Sequence, residues 1–426
     1  MWYDMKKIQR ICCVGLGYVG LPTAVVLASE GVQVLGCDIN REAVDLINQG
    51  QAHFQENDMD IILKQVVKSR KLIAYTEPQS ADAFLIAVPT PFKDNKTPDM
   101  RYVISAAEAI SNVLQEGNIV ILESTSPVGS TEMIRNVIKQ KRPDLFEGSD
   151  KILFAYCPER ILPGNTMREL RENSRCVGGL TPEASGVAQS IYKIFCAGEV
   201  LLTNARTAEM VKLGENSFRD VNIAYANEMA KICANNDVDV HEFIKLANHH
   251  PRVNILSPGI GVGGHCIPVD PWFLVADNSE EAKLLYQARI INDSMPQYYA
   301  DIVQNTLSGK TTAKIAILGL TYKPDVDDFR CSPSIELVNI LSKNTHYEIN
   351  AHDPFIDQIK LKEKNPSVNY FNNINLMIED ADVVVISTPH SEYKNICFGT
   401  KLVIDPSSSI IGLNNNLQRK HSKIAA

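Results

Sequence analysis

The sequence predicts an α/β protein in which two doubly wound parallel sheets are joined by a helical segment. Three observations carry that expectation. Near the N-terminus an apolar run, a glycine turn, an apolar helix-like run and a second apolar run ending on an acid follow in quick succession. Residues 205–235 form a long proline-free stretch with apolar residues at helical spacing. Four apolar segments after residue 313 echo, in order, four segments of the N-terminal part. The expected organisation is two Rossmann-like domains, 1–203 and 309–426, joined by a central helical domain, 204–308.

Composition bounds the function. A chain of 426 residues is too long for one ordinary core. Its 45% hydrophobic and 22% charged content is that of a soluble globular protein. A net charge of -8 gives no reason to expect nucleic acid or an anionic membrane as partner. An anionic substrate would have to be met by local Lys and Arg. Ten cysteines are scattered without a CxxC pair or zinc-like spacing, which points to a reducing, cytoplasmic compartment and to thiols as core filler. Residues 11–29 carry no charge and mimic a membrane anchor. Gly15, Gly17, Gly20 and Pro22, with a second apolar run at 32–37, argue instead for a strand, a turn and a helix.

In chain order, Ile8–Val14 reads as a buried strand, Gly15-Leu16-Gly17-Tyr18-Val19-Gly20 as the turn, Leu21–Ser29 as a helix and Val32–Cys37 as a second strand ending on Asp38. This is the dinucleotide fingerprint in its required setting. The glycines let a pyrophosphate reach the helix N-terminus, whose free N–H groups and dipole favour an anion. Asp38, eighteen residues after Gly20, is placed to bond both ribose hydroxyls and to repel a 2′-phosphate, so NAD is expected; Arg41 nearby argues the other way. Strands at 83–89, 118–123 and 151–156 end in Thr90, in Ser124-Thr125-Ser126 and in Cys157-Pro158-Glu159-Arg160. Carboxyl ends of parallel strands carry ligands. Thr90 and Thr125 are therefore either ligand contacts or plain helix N-caps, and Glu159 is either an acid–base group or a solvated loop charge.

On the helix expected over 205–235, Lys212 and Asn216 share a face. Gly214 between them costs around 1 kcal/mol in a helix interior, tolerable if something packs closely there. Next comes Gly261-Val262-Gly263-Gly264-His265-Cys266-Ile267-Pro268-Val269-Asp270, a thiol in a nearly side-chain-free loop four residues before a carboxylate. Three glycines in four positions allow close approach and unusual backbone angles. The cysteine is either a reactive group or a small buried hydrophobe. His249, His250 and His265 invite a metal reading, but no recognised ligand spacing completes it, so no metal is expected. Residues 281–308 read as one further helix. In the last part, Lys314–Leu320, 349–354, 381–389 and 401–406 repeat the N-terminal strands, with a first turn that keeps one glycine and gains Lys323. A nucleotide phosphate fits that turn; a second whole dinucleotide does not.

A hydride acceptor, a second nucleotide fold and a cysteine suit oxidation of an aldehyde through a thiohemiacetal and a thioester. Lys212 and Asn216 are suited to stabilising its oxyanion. The motifs GLGYVG, VPTP, ESTSPVG, CPER, AEMVKLGENSFRD, GVGGHCIPVD and LGLTYKPDVDDFR, in this order, resemble the UDP-glucose/GDP-mannose dehydrogenase family over essentially the whole chain. ERILPG, ENSFRDVNIAYANE, HPRVNIL and GGHCIPVDPWF look like its branch acting on UDP-N-acetyl-D-mannosamine. The resemblance implies a four-electron, NAD-dependent oxidation of the sugar C6 alcohol to a carboxylate, in a pathway to bacterial surface polysaccharide. It implies Cys266 as nucleophile, Lys212 and Asn216 at the oxyanion or in proton handling, and Asp270 tuning the lysine. Glu159 would do acid–base work and Thr125 would lie near the attacking water. Tyr18, Val19 and Arg330 fall on the cofactor side; Arg160, Gly263 and Lys323 fall on the substrate side. Arg252 would reach a neighbouring subunit's site, so a homodimer or larger homo-oligomer is expected. Two departures stand out: Pro163-Gly164 replaces a second glutamate of UDP-glucose enzymes, and Cys331 follows Arg330 where a glutamate is common. The rival readings are a sibling enzyme acting on UDP-N-acetylglucosamine or UDP-glucose, a one-step hydroxyacid-type dehydrogenase, and a non-catalytic NAD-binding sensor.

Overall fold

The computed structural model describes residues 8–54, 56, 58–93, 95–161, 165–356, 368–408 and 410. The chain forms two compact units, Met1–Glu215 and Asn216–Ala426. Among the described residues the first unit holds an eight-stranded sheet of β1 (Arg10–Val14), β2 (Gln33–Cys37), β3 (Leu72–Tyr75), β4 (Ala83–Ile86), β5 (Ile119–Leu122), β6 (Leu153–Tyr156), β7 (Arg175–Gly179) and β8 (Val200–Asn204). Their spatial order is β3-β2-β1-β4-β5-β6-β7-β8. All neighbours run parallel except β6 and β7. β4 and β5 are buried along their whole length, as strands covered by helices on both faces must be. The order reverses at β1, which pairs with β2 on one side and β4 on the other. Such a switch point opens a crevice at the carboxyl strand ends. The uncharged stretch 11–29 is this central strand, its turn and the buried helix Gly20–Ser29. No helix among the described residues is long and apolar enough to cross a membrane.

β3, β7 and β8 were outside the sequence expectation. β3 alternates buried and half-buried residues, β7 opens on an arginine and ends on two glycines, and β8 is an exposed edge strand. β3 is a four-residue apolar run, LIAY, between Lys71 and Thr76, whereas β7 and β8 mix apolar with polar residues or glycine.

Among the described residues the second unit contains a five-stranded parallel sheet of β9 (Ala313–Leu318), β10 (Tyr347–His352), β11 (Asn369–Tyr370), β12 (Val383–Ile386) and β13 (Leu402–Ile404), in the order β11-β10-β9-β12-β13. This is the order of β3-β2-β1-β4-β5, so the echo in sequence is an echo in topology. It reaches single bonds. Gly15 N–H donates to Cys37 O and Gly319 N–H to His352 O, both at 2.8 Å. Asp82 accepts from the N–H of Arg10 and Asp382 from that of Lys314.

The helix Ala205–Asn235 forms as expected and runs from the first unit into the second. The single helix expected over 281–308 is two, Lys283–Asp293 and Met295–Thr306, because Pro296 in the first turn of the latter has no N–H and crowds the turn before it. Within the second unit, Arg289 on Lys283–Asp293 is 1% exposed and donates to Asp220 of the long helix at 2.6 Å. Asn292 adds a bond to the same carboxylate at 2.8 Å, and Asn227 of the long helix donates to Asn292 at 2.9 Å. Burial raises the Asp220 carboxyl against the pull of Arg289. Arg289→Ala leaves a buried carboxylate short of its cation and is expected to cost about 3–5 kcal/mol, read from the midpoint of urea unfolding; a loss below ~1 kcal/mol would refute the buried pair as a main tie.

Candidate active site

The first turn of the first unit assigns each glycine a separate task. Gly15 sits at φ +90°, where a side chain is strained. A Cβ on Gly20 would lie 1.9 Å from Gly15 O, so the helix can start this close to the strand only with glycine there. Gly17 has nothing within 4 Å of its Cβ position, leaving its backbone open to a ligand. The helix Gly20–Ser29 has no side-chain cap at its N-terminus, so its first N–H groups point at the same opening. Asp38 is half-buried; its Oδ2 accepts from Leu16 N–H at 2.8 Å and its Oδ1 from Asn40 N–H at 2.9 Å. Each oxygen keeps a lone pair for a ribose hydroxyl. Tyr18 stacks on Phe54 with ring centroids 4.3 Å apart, a flank that sequence spacing did not reveal. Arg41 is exposed at the start of the helix Arg41–Asn48. These residues fit a dinucleotide.

Thr90 and Thr125 lie half-buried in the loops after β4 and β5. Neither caps a helix: the N-cap positions of the following helices are Met100 and Gly129, which make no side-chain cap bond. Ser124 Oγ donates to Val88 O at 2.7 Å and ties the two loops together.

After β6, Glu159 is buried and held from several sides. Its Oε2 accepts from Arg175 of β7 at 3.2 and 3.3 Å, and its Oε1 accepts from Arg160 N–H at 2.7 Å. Its carbonyl accepts from Lys212 Nζ at 2.6 Å, so the structure brings together two candidate residues that lie 53 positions apart in sequence. Arg160 pairs with Glu215, one turn further along the long helix from Lys212. The same helix sends Glu209 to cap Ser130–Lys141, accepting from Gly129 N–H at 2.6 Å and Thr131 N–H at 2.8 Å. The packing expected on Gly214 is missing: a Cβ there meets nothing within 4 Å, because that face of the helix is exposed. Pro163 and Gly164 lie outside the described residues.

In the second unit the glycines of 261–264 pack under the segment 319–333. A Cβ on Gly263 would meet Tyr322 Cβ at 2.6 Å, Pro333 Cδ at 2.7 Å and Cys331 O at 2.8 Å. Gly264 N–H donates to Arg330 O at 3.3 Å. Past this clamp Cys266 turns into the helix Asp270–Asp277: its carbonyl accepts from Val269 N–H at 3.0 Å and Asp270 N–H at 2.8 Å, and its thiol is exposed. Seven other thiols are buried; Cys331 and Cys397 share the exposure of Cys266. Asn216 Nδ2 donates to the buried Asp270 at 2.5 Å. Arg330 binds Asp328 through Nε and a terminal nitrogen at 3.0 and 2.8 Å, and reaches His265 Nε2 at 3.0 Å. Burial first, and Arg330 second, hold the His265 imidazole below its ordinary range. Lys323 is half-buried in the turn after β9, with its carbonyl accepting from Thr321 Oγ1 at 2.9 Å. Arg252 is exposed in the turn after the helix Val240–Ala247. Among the described residues no group of three or more His, Cys, Asp or Glu could hold a metal ion.

Family models of three domains match the chain in series. The NAD binding domain of the UDP-glucose/GDP-mannose dehydrogenase family matches residues 9–196, its central domain 206–294 and its UDP binding domain 316–411. The chain is 48% identical to a UDP-N-acetyl-D-mannosamine dehydrogenase of Campylobacter jejuni, over 91% of this chain and 97% of that one. It is equally, 48%, identical to an NDP-N-acetyl-D-galactosaminuronic acid dehydrogenase of Ralstonia nicotianae, over 91% and 92%. Its fold is similar to the solved UDP-D-ManNAc dehydrogenase of Pyrococcus horikoshii, with TM-score 0.87, 38% identity and 96% of each chain covered.

Gly20→Ala forces a Cβ against Gly15 O and is expected to cost about 1–3 kcal/mol, with weaker NAD binding by titration calorimetry. Gly186→Ala, in open space inside the helix Pro182–Tyr192, should instead gain up to about 1 kcal/mol. Equal thermal shifts for the two would refute the close-approach role.

Proposed function

Given that this chain belongs to the UDP-glucose/GDP-mannose dehydrogenase family, and is therefore an NAD-dependent dehydrogenase of a UDP-linked sugar, we propose that it oxidises UDP-N-acetyl-D-mannosamine at C6 to the uronate. NAD, when bound, accepts one hydride in each of two rounds. The observation that carries the reading is the Gly261–Gly264 clamp, which leaves the Cys266 thiol exposed above a fixed helix start. In the first round the C6 alcohol becomes an aldehyde and its proton passes to the site's acid–base groups. Cys266 then adds as thiolate to the aldehyde carbon, giving a thiohemiacetal. Loss of the second hydride gives a thioester, which water cleaves to the acid and the free thiol.

The side chains of each unit are suited to these steps. Lys212 spends one N–H on Glu159 O and has two more for an oxyanion. Asn216 is oriented by Asp270 and presents an amide on the same helix face. Glu159, fixed by Arg175, serves as the acid–base group, with Thr125 near the attacking water. Tyr18, Val19, Gly15, Gly17, Gly20, Asp38, Arg41, Thr90 and Arg330 are assigned to the cofactor. Arg160, Gly263 and Lys323 are assigned to the substrate. The segments 1–203, 204–308 and 309–426 correspond to cofactor, catalytic-loop and UDP-sugar functions; the enzyme works in the cytoplasm, and its product feeds a bacterial surface polysaccharide.

The working form is a homodimer or larger, with Arg252 completing a neighbour's site. Phe218, Tyr225 and Ile232 recur every seven residues on the long helix with 68%, 47% and 45% exposure. That is a continuous apolar stripe which a second copy would cover.

Purified protein given NAD and, separately, UDP-N-acetylmannosamine, UDP-N-acetylgalactosamine, UDP-N-acetylglucosamine and UDP-glucose should prefer the first and form about two NADH per sugar. A ratio near one refutes the thioester route; preference for another sugar refutes the substrate. Cys266→Ser should lower acid formation at least about a thousandfold. Phe218→Asp with Ile232→Asp should yield monomers by light scattering. Mixing inactive Cys266→Ser and Arg252→Ala proteins should restore part of the activity, and no restoration would sink the shared site.

A further inference from the structure

Beneath the ligand edge of the first sheet lies a dry charge cluster whose innermost member has no role in the steps above. Glu123, directly after β5 and two residues before Thr125, is 2% exposed. Its Oε1 accepts from Tyr192 O–H at 2.7 Å, and its Oε2 is buried without a hydrogen-bond partner. Arg175, 3% exposed on β7, spends two nitrogens on Glu159, while its Nε is buried and unpartnered. Its guanidinium lies 5.0 Å from the Tyr192 ring and 5.2 Å from the Phe195 ring. Cys157 Sγ is 3.9 Å from the same guanidinium, and the buried thiol of Cys13 on β1, held up first by burial, is raised further by the charge of Glu123. Glu159 and Cys157 from the end of β6, Arg175 from β7, Tyr192 from the helix Pro182–Tyr192 and Cys13 from β1 are thus the titratable and charged groups around Glu123.

Two carboxylates here face one guanidinium, and that guanidinium is bonded to Glu159. A second buried negative charge with a single donor is poorly tolerated. We propose that Glu123 is a positioning residue for Glu159: while neutral it leaves Arg175 wholly to Glu159, and once ionised it competes for Arg175 and loosens the acid–base group. The inference rests on the reading of Glu159 given above. The physical setting agrees with it. Burial, with Glu159 adding, pushes Glu123 up to about 7, while Arg175 and the Tyr192 hydroxyl pull it down. The changeover therefore falls in the working pH range, and the ionised form, the disfavoured one, grows as pH rises through neutrality.

The test is the pH profile of kcat, taken as the difference between wild type and variant. Wild type should bend downward within about one unit of pH 7. Glu123→Gln keeps an oxygen for Tyr192 and cannot ionise, so the bend should vanish with KM unchanged. Tyr192→Phe removes a donor that favours the ionised form, so its bend should move to higher pH. A merely structural role would lower kcat by one factor at every pH and leave the bend in place; that result in Glu123→Gln overturns the proposal. If Glu123→Gln does not fold, an unmoved bend in Tyr192→Phe overturns it instead. Full activity in Glu159→Gln would show that the reading of Glu159 has failed, independently of what Glu123 does.

Discussion

A buried polar group must find a partner or the fold forfeits its solvation, and the helix Ala205–Asn235 is built around that demand. Glu209, Asn216, Asp220 and Asn227 are all nearly or fully buried, and each meets it by gripping one particular segment. Glu209 caps Ser130–Lys141, the helix that follows the Thr125 loop. Asn216 holds Asp270 at the foot of the cysteine turn. Asp220 takes Arg289, and Asn227 takes Asn292 and the N–H of Gly259. Lys212 and Glu215, less buried, reach Glu159 and Arg160. An apolar helix of this length could slide along its neighbours at little cost. Discrete bonds at fixed turns give it one register against its neighbours within each unit.

The two sheets show how one topology is turned to different ligands. Asp38 and Asp353 stand at matching places, each accepting the N–H of the leucine after the first glycine, Leu16 or Leu320. Asp38 is half-buried with lone pairs to offer. Asp353 is buried and its Oδ2 also meets the N–H of Thr321 and His390 Nε2. His390 cannot swing away, since its Nδ1 accepts the N–H of Asp325 at 3.0 Å. The carboxylate that would hold a ribose is thus committed inside the second sheet. The turn has changed with it: the helix starts at Gly20 after β1 but only at Pro333 after β9. The intervening residues carry Lys323, Asp328 and Arg330 and lie over the cysteine loop.

What the sequence disclosed follows the same physics. Strands with continuous apolar runs, the three glycines with their strand, helix and acid, and the uninterrupted helical period of 205–235 were all legible, since each pattern has few alternative structures. β3 was missed because a four-residue apolar run, LIAY, does not by itself tell strand from helix, and β7 and β8 because partly polar or edge strands carry no run to read. Glu123, Arg175 and Tyr192 were invisible for a different reason. Their partnership joins β5, β7 and a helix, residues up to 69 apart, and no local spacing reports which charges the fold will bury together. Gly214 misled because a glycine in a helix is usually kept for a close neighbour, and here the position is open.

The cysteine loop shows how one sequence signal can have more than one cause. Three glycines in four positions suggested room for a substrate and unusual backbone angles. Gly261 and Gly264 do take positive φ, 142° and 88°. Gly263 does not, yet it is the most crowded of the three, with Tyr322, Pro333 and Cys331 all within 3 Å of where a Cβ would stand. Its side chain is absent because the turn after β9 occupies that space. The consequence for chemistry is direct. A loop of such glycines left in solvent would sample many conformations and scatter the thiol. Clamped by Tyr322 and Pro333 on one side and ended by the helix at Asp270 on the other, it has little freedom left. The exposed Cys266 is then positioned by the packing of the loop that carries it.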